Sequence, residues 1–363
     1  MRYKVVVCGT GFGTFYAEAV VRAAEKFELA GIVASGSQRS KKCAEHYQVP
    51  LYHYVEEVPE DIQVACIAIR TNSLGGAGTD MALAFLKRGI HVILEQPVHH
   101  KDLQQCFKQA LQSKCCFMTG DLYINMSEMR RFLQTCKHMQ SKGEELTYIR
   151  AGFSVQAFYP FVEVLGQLIP GGKPSDIVMG EQMGDFKIIS GKLGNVPFSF
   201  QFNNVMNPEN PDNYMQLLHS FTCFYPSGRL ELVDTRGPLV WYPRMNMPWS
   251  VLDEGGLPEK YPEHMYASSV QVLTPAEVNI DRPYYRFVEE NWVQGIQMDL
   301  EKLYVMIAEP MKQRIKAQQE QRSSKLWHEL TELFGYAQLD GALNPKMDGH
   351  AELREVAVLA EER

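Results

Sequence analysis

Tyr3-Lys4-Val5-Val6-Val7-Cys8-Gly9-Thr10-Gly11-Phe12-Gly13-Thr14-Phe15 runs from an apolar, β-branched pattern through a glycine turn into a helical one. Gly9 permits the tight turn, and Gly11 lets the main chain come close to a phosphate. The helix that follows points its free N–H groups and the positive end of its dipole at the same place. Thr10, Phe12 and Gly13 complete the loop, and Thr14 stands where a third glycine is usual. Glycine spacing alone is a weak signal. Between a strand and a helix, inside a βαβ unit of the right length, it reads as a dinucleotide phosphate loop.

The alternation continues outward from that loop. Leu29–Ala34, Val64–Ile69, His91–Leu94 and Cys115–Thr119 read as strands, and Arg39–Tyr47, Thr79–Arg88 and Lys101–Ser113 as helices. That order predicts a parallel sheet with crossover helices. Beyond a helix near Met126–Met139, period-two patterning takes over in Thr147–Phe153, Asp185–Ser190, Pro197–Val205, Gln216–Tyr225, Arg229–Val233 and Pro238–Tyr242. Helical patterns return at Tyr284–Ala308 and Ser323–Phe334. The expected fold class is α/β. An N-terminal Rossmann domain covers residues 1–122, and a C-terminal α+β domain with a mainly antiparallel open sheet covers 123–340, followed by a charged tail over 341–363.

Composition narrows the partners. With 363 residues, two domains are the natural expectation. A net charge of −7 and only short basic clusters argue against a nucleic-acid surface. The apolar runs are far shorter than the roughly 20 residues a membrane helix needs. A strand beginning at Tyr3 leaves no room for a signal peptide, so a cytoplasmic protein is expected. The eight cysteines lie mostly in apolar runs, without CxxC pairs or zinc spacing, and read as buried thiols; no metal is expected.

Cofactor choice is read at the end of the second strand, Ala34-Ser35-Gly36-Ser37-Gln38-Arg39-Ser40. A carboxylate there would bind ribose hydroxyls and repel a 2′-phosphate. None is present; Ser35, Ser37, Arg39 and Ser40 suit a dianion, so NADP(H) is expected. Arg70 and Thr71, after the apolar third strand, and Glu95-Gln96-Pro97, after the fourth, should border the cofactor.

A Rossmann half ending in Glu95-Gln96-Pro97 and followed by a mainly β half resembles the glucose–fructose oxidoreductase/inositol dehydrogenase family. Most members carry a lysine in the middle of that tripeptide, and an Asp and His four residues apart in the first helix of the second domain. Here the matching positions are Gln96, Glu163 and Gln167, and an amide is neither acid nor base near neutral pH. A narrower likeness is carried by Gly75–Thr79, Phe85–His99, Cys115-Cys116 with Tyr123 beyond, Pro226–Leu232, Gly237–Trp241 and Ser324–Trp327. These segments, in that order, resemble thiazolinyl imine reductases of siderophore and non-ribosomal peptide assembly, which have a histidine where Gln96 stands.

The resemblance implies NADPH-dependent reduction of a thiazoline C=N to a thiazolidine on a substrate tethered to a peptide synthetase carrier domain, by a homodimer. It also makes Tyr123 the proton donor, with Asp121 as the second candidate. His219 and Trp249 are candidate substrate contacts. A sugar or cyclitol dehydrogenase and a silent NADP-binding regulator remain the alternatives at this stage.

Overall fold

The computed structural model describes residues 2–69, 75–252, 255–256, 258–278, 283–346 and 352–358. The expected alternation is present. Strands β1 (Tyr3–Cys8), β2 (Phe27–Val33), β3 (Leu51–Tyr52), β4 (Val64–Ile67), β5 (His91–Leu94) and β6 (Phe117–Thr119) are all parallel, in the order β3-β2-β1-β4-β5-β6. Helices α1 (Gly13–Arg22), α2 (Gln38–Tyr47), α3 (Ala77–Lys87) and α4 (His100–Gln112) form the crossovers. The sheet is apolar on both faces, as a doubly covered parallel sheet must be: Val5, Val6, Val7 and Cys8 are all buried. Its order reverses beside β1, so the carboxyl ends of β1 and β4 frame a crevice.

A short helix α5 (Leu122–Asn125) and α6 (Ser127–Ser141) lead to β7 (Tyr148–Ser154) and α7 (Phe158–Leu168). Strands β8 (Pro174–Met183), β9 (Phe186–Leu193), β10 (Val196–Asn203), β11 (Val205–Met206), β12 (His219–Tyr225), β13 (Gly228–Leu232), β14 (Leu239–Pro243) and β15 (Gln271–Val272) follow. All but β11 join one sheet, in the order β15-β14-β13-β12-β7-β10-β9-β8. Its pairings are antiparallel apart from β7 with β10. One face packs on α6 and α7 through stacked rings, Phe153 on Phe161 at 3.9 Å and Phe161 on Phe221 at 5.3 Å.

The chain then returns to the first sheet. Helix α8 (Tyr284–Phe287), a π-helical turn over Val288–Trp292, α9 (Val293–Ala308) and α10 (Pro310–Phe334) precede β16 (Gln338–Leu339), which pairs with β11. Residues assigned by sequence to the second domain therefore cover the Rossmann domain as well. The Thr119 amide donates to Glu320 Oε1 at 3.0 Å, and Ser324 Oγ donates to the Val98 carbonyl at 2.6 Å. Helix α10 is also longer than expected, because residues 310–322 carry many lysines and glutamines and little apolar period. Among the described residues no helix is long and apolar enough to cross a membrane. All eight cysteines are free, and all but Cys43 are buried.

The seam is tied by charge. Asp121, just past β6, accepts from Lys302 of α9 at 2.7 Å and from Lys316 of α10 at 2.6 Å. Burial acts to raise its carboxyl, but the two ammoniums outweigh that and hold it well below the usual carboxylate range. Its contribution to stability is full at neutral pH and is lost as pH falls below about 4, where the unfolded chain takes up the proton. Asp121→Asn removes the carboxylate that the two lysines share, leaving Lys302 only Asp299 at 3.5 Å and Lys316 only Glu320 at 3.1 Å as counter-charges. It should cost about 3 kcal/mol in urea unfolding, the low end for a broken buried pair because Lys302 keeps some solvent access. A cost below about 1 kcal/mol would show that water replaces the carboxylate.

Candidate active site

The phosphate loop has the geometry its sequence predicts. Gly9 sits at φ +93°, where a Cβ would stand 2.8 Å from the Ala68 carbonyl oxygen. The first atom near a Cβ on Gly11 is Arg39 Nη1 at 3.9 Å, so main chain is open there. Gly13 does the packing work that Thr14 leaves undone: a Cβ on it would lie 3.4 Å from Val7 Cγ1. Thr14 instead closes the first turn, its hydroxyl donating to the Thr10 carbonyl at 3.2 Å. Helix α1 has no side-chain cap and no acid in its first turn, which leaves its N-terminal amides for an anion. These residues fit a dinucleotide. Phe12 also reaches out of the loop, 5.5 Å from the ring of Trp292 in the π-helical turn. The Trp292 indole N–H is buried without a hydrogen-bond partner.

The strand-two end divides its labour. Ser35, Ser37 and Arg39 are exposed, and the Arg39 guanidinium reaches back toward Gly11. Gly36 turns at φ +84° over the His53 ring. Ser37 is the N-cap of α2, accepting from the Ser40 amide at 3.2 Å. Ser40 is a correction to the sequence reading. It is 1% exposed and its hydroxyl donates to the Ser37 carbonyl at 2.8 Å, so it braces the turn and does not face a phosphate. Arg70 and Thr71 lie outside the described residues.

Below the crevice, Glu95, Gln96 and Pro97 follow β5, with the Gln96–Pro97 peptide cis. Gln96 donates to the Gly120 carbonyl at 2.9 Å, while its amide oxygen is buried without a partner. Tyr16 of α1 donates to Glu95 Oε2 at 2.5 Å. Burial pushes the Glu95 carboxyl up to about 7, with the Tyr16 hydrogen bond opposing and Asp299 adding to the rise. All three meet at Gly120, where a Cβ would stand 2.6 Å from the Tyr16 oxygen and 3.6 Å from Asp299 Oδ2. Only glycine fits that position.

Tyr123 is the second residue of α5, and its ring meets His219 edge-on with centroids 5.4 Å apart. Burial, reinforced by the Glu95 charge, holds its phenol well above the usual range, so it stays protonated at any working pH. His219 is corrected from substrate contact to support. Its Nε2 meets the Ala157 carbonyl at 2.8 Å and its Nδ1 meets Thr235 Oγ1 at 2.9 Å. Both nitrogens are spent, and burial pushes the ring down to about 4, so it is neutral. Asp121 is likewise corrected: a carboxylate clamped between two lysines has no proton to give. Trp249 stands 73% exposed in a short turn. Trp241 packs on the core, and Tyr242 lies under the Arg229 guanidinium at 4.1 Å, so neither ring is free for stacking.

Of the two positions matched to the proton-handling residues of a sugar dehydrogenase, Gln96 lies below the crevice and Gln167 lines a different space. Gln167 and Glu163 face a cavity between α6, α7, α9 and α10, which neither Gln96 nor Tyr123 lines. Sequence reasoning did not find Tyr16, Trp292, Asp299, Lys302 or Lys316. The available signal was charge on an apolar helical stripe, Asp299 and Lys302 in α9 and Lys316 and Glu320 in α10.

Residues 3–121 match the oxidoreductase family model with the NAD-binding Rossmann fold. That match spans the N-terminal domain. Residues 145–242 match a second model, that of the C-terminal domain of Irp3-like thiazolinyl imine reductases. No curated protein sequence matches the chain. Solved structures share the fold of the oxidoreductase at low identity. An oxidoreductase from Agrobacterium radiobacter, in complex with NAD+, L-tartaric acid and magnesium, superposes with a TM-score of 0.64 at 10% identity, covering 92% of this chain and 96% of its own. A levoglucosan dehydrogenase in complex with NADH and levoglucosan gives 0.63 at 12%, covering 92% and 97%. The UDP-N-acetylglucosamine 3-dehydrogenase GnnA from Acidithiobacillus ferrooxidans gives 0.62 at 12%, covering 92% and 99%.

The loop geometry makes a direct prediction for dinucleotide binding. Gly9→Ala, strained at positive φ and driven into the Ala68 carbonyl, should weaken it at least about tenfold in a fluorescence titration. Thr14→Gly should leave it within about threefold, since Gly13 already makes the close contact. The reverse ranking would misplace the phosphate site.

Proposed function

We propose that this oxidoreductase uses NADPH to reduce a thiazoline C=N to a thiazolidine on an intermediate carried by a peptide synthetase carrier domain. The observation that carries the reading is the match of residues 145–242 to the thiazolinyl imine reductase C-terminal domain, joined to a Rossmann domain over residues 3–121. The site chemistry supports it. Oxidising a sugar hydroxyl requires a base to take its proton, and Gln96 cannot act as one. Reducing an imine instead requires a proton donor for the nitrogen, and Tyr123 is a neutral phenol. His219, tied at both nitrogens, holds that ring in place. Bound NADPH supplies the hydride. The residues around it orient the imine, keep water out and deliver one proton from Tyr123 Oη to the nitrogen.

The preference for the phosphorylated dinucleotide rests on Arg39, exposed and arching over Gly11, with Ser35 and Ser37 beside it and no acid at the strand end. NADPH should bind at least tenfold more tightly than NADH, since a charge-assisted contact contributes about 1.5–3 kcal/mol. Arg39→Ala should remove most of that margin by weakening NADPH alone. Equal dissociation constants for the two cofactors in the unaltered protein would overturn the assignment.

Turnover tests the donor. With NADPH and a carrier-tethered thiazoline, Tyr123→Phe should lower kcat by about 10²-fold while NADPH affinity stays within twofold, because the ring and its His219 contact survive. A loss below about threefold would mean that water supplies the proton. Oxidation of a free sugar with NADP+ by the same protein, with the tethered thiazoline untouched, would refute the reductase reading.

A further inference from the structure

Three histidines meet where α4 begins. The rings of His99 and His100 lie 4.2 Å apart, and His328 of α10 stands 5.0 Å from the first and 5.3 Å from the second. His99 is the N-cap of α4, and its Nδ1 accepts from the Lys101 amide at 3.2 Å. Helices are usually capped by the oxygen of Ser, Thr, Asp or Asn. An imidazole nitrogen can do the same only while it carries no proton. The cap therefore exists in one tautomer of neutral His99, with the proton on Nε2. Burial pushes the buried His99 ring below the usual imidazole range; His100, His328 and Lys101 push the same way, and Asp102 opposes them. Burial lowers His100 too, helped by His328, Lys101 and Lys325 and opposed by Glu329, which pairs with Lys325 along α10. The positive end of the α4 dipole adds to the cost of a cation at this place.

We propose that His99 is a proton-operated cap: neutral, it holds the two loops beside the dinucleotide crevice, and protonated, it releases them. Both loops are tied to the start of α4. Asp102, in its first turn, accepts from the Gly75 amide at 2.6 Å and so fixes the connection that returns from β4. The Val98 carbonyl, two residues past Gln96, accepts from Ser324 of α10 at 2.6 Å. A proton on Nδ1 turns the cap into a second donor aimed at the Lys101 N–H. The first turn of α4 then has an unpaired amide and a cation at its positive end, and Asp102 loses its footing. Because the folded ring sits below its ordinary value of 6.5, the contribution of the cap is whole above about pH 6.5 and is lost as pH falls below it. The device acts on dinucleotide binding and is independent of the thiazoline reading.

The full-length protein, His99→Asn and His328→Gln are titrated with NADP+ and, separately, with NAD+ across the range from about pH 8 to about pH 5, which brackets the ordinary imidazole value. Asparagine caps a helix without titrating, so the ratio of the unaltered protein's Kd to that of His99→Asn should rise by about fivefold between the two ends of the range. Taking the ratio at each pH cancels the titration of the cofactor phosphate and of Glu95, which all three proteins share. His328→Gln removes a charge that opposes protonation of His99, so its loss of affinity should begin at higher pH than that of the unaltered protein. Nitrogen chemical shifts should show His99 protonated on Nε2 at the alkaline end and titrating below 6.5. Were His99→Asn not to fold, the His328→Gln shift and the tautomer would still decide. A ratio that stays constant with pH, an unmoved or acid-shifted profile in His328→Gln, or a proton on Nδ1 of His99 at the alkaline end would each overturn the proposal.

Discussion

Asp121 sits where the chain leaves the parallel sheet, and the two lysines that hold it come from helices 181 and 195 residues downstream. That pairing fixes four elements at once. It sets the exit of β6, the start of α5 and the approach of α9 and α10. Asp299 of α9 adds to the seam, accepting from the Asp121 amide at 2.9 Å and from Asn125 at 2.7 Å. A carboxylate and two ammoniums inside a protein are stable only when paired, so the second domain cannot drift from the first without exposing or orphaning a charge. Tyr123 stands two residues beyond Asp121. Its position beside His219 and near Glu95 therefore depends on that ion pair.

One physical cause, burial, sets each protonation state around that tyrosine. It raises the phenol of Tyr123 and the carboxyl of Glu95 and lowers the imidazole of His219, in every case favouring the neutral form. The exception is Asp121, where two cations reverse the sign. Tyr123 is thus a neutral donor, with the charged group of Asp121 and its two lysines behind it. Such an arrangement suits a reaction whose substrate enters uncharged and whose product needs a proton.

The fold was legible because its signals are local. The phosphate loop, the crossover helices and the period-two strands each depend on neighbours within a dozen residues, and each lies close to where the sequence puts it. The parallel pairing of β7 with β10 was not legible, since register between distant strands leaves no mark on either. Strand β8 was missed because it is an exposed edge, without the alternation that a half-buried strand shows. The site was half legible. The loop was found, yet Asp121, His219 and Ser40 were given direct roles that their partners preclude. A residue type announces what a side chain can do, whereas Lys302, Lys316, Thr235 and the Ala157 carbonyl decide what it is free to do.

On the proposed reading, the raised phenol of Tyr123 is an asset. As hydride adds to the imine carbon, the nitrogen becomes far more basic than any phenolate, so even a weakened phenol gives up its proton downhill. In the opposite sense, removing a proton from a sugar hydroxyl, a phenol that resists ionisation is useless as a base. The same burial therefore favours reduction and disfavours alcohol oxidation on one scaffold. After transfer, the buried phenolate is the costly species, and its raised pKa drives reprotonation before the next substrate. Glu95, at about 7 and hydrogen-bonded to Tyr16, is a half-protonated carboxyl at neutral pH whose charge bears on the same phenol. On that reading, Gln96 in place of a lysine or histidine moves the proton's source from the tripeptide to Tyr123.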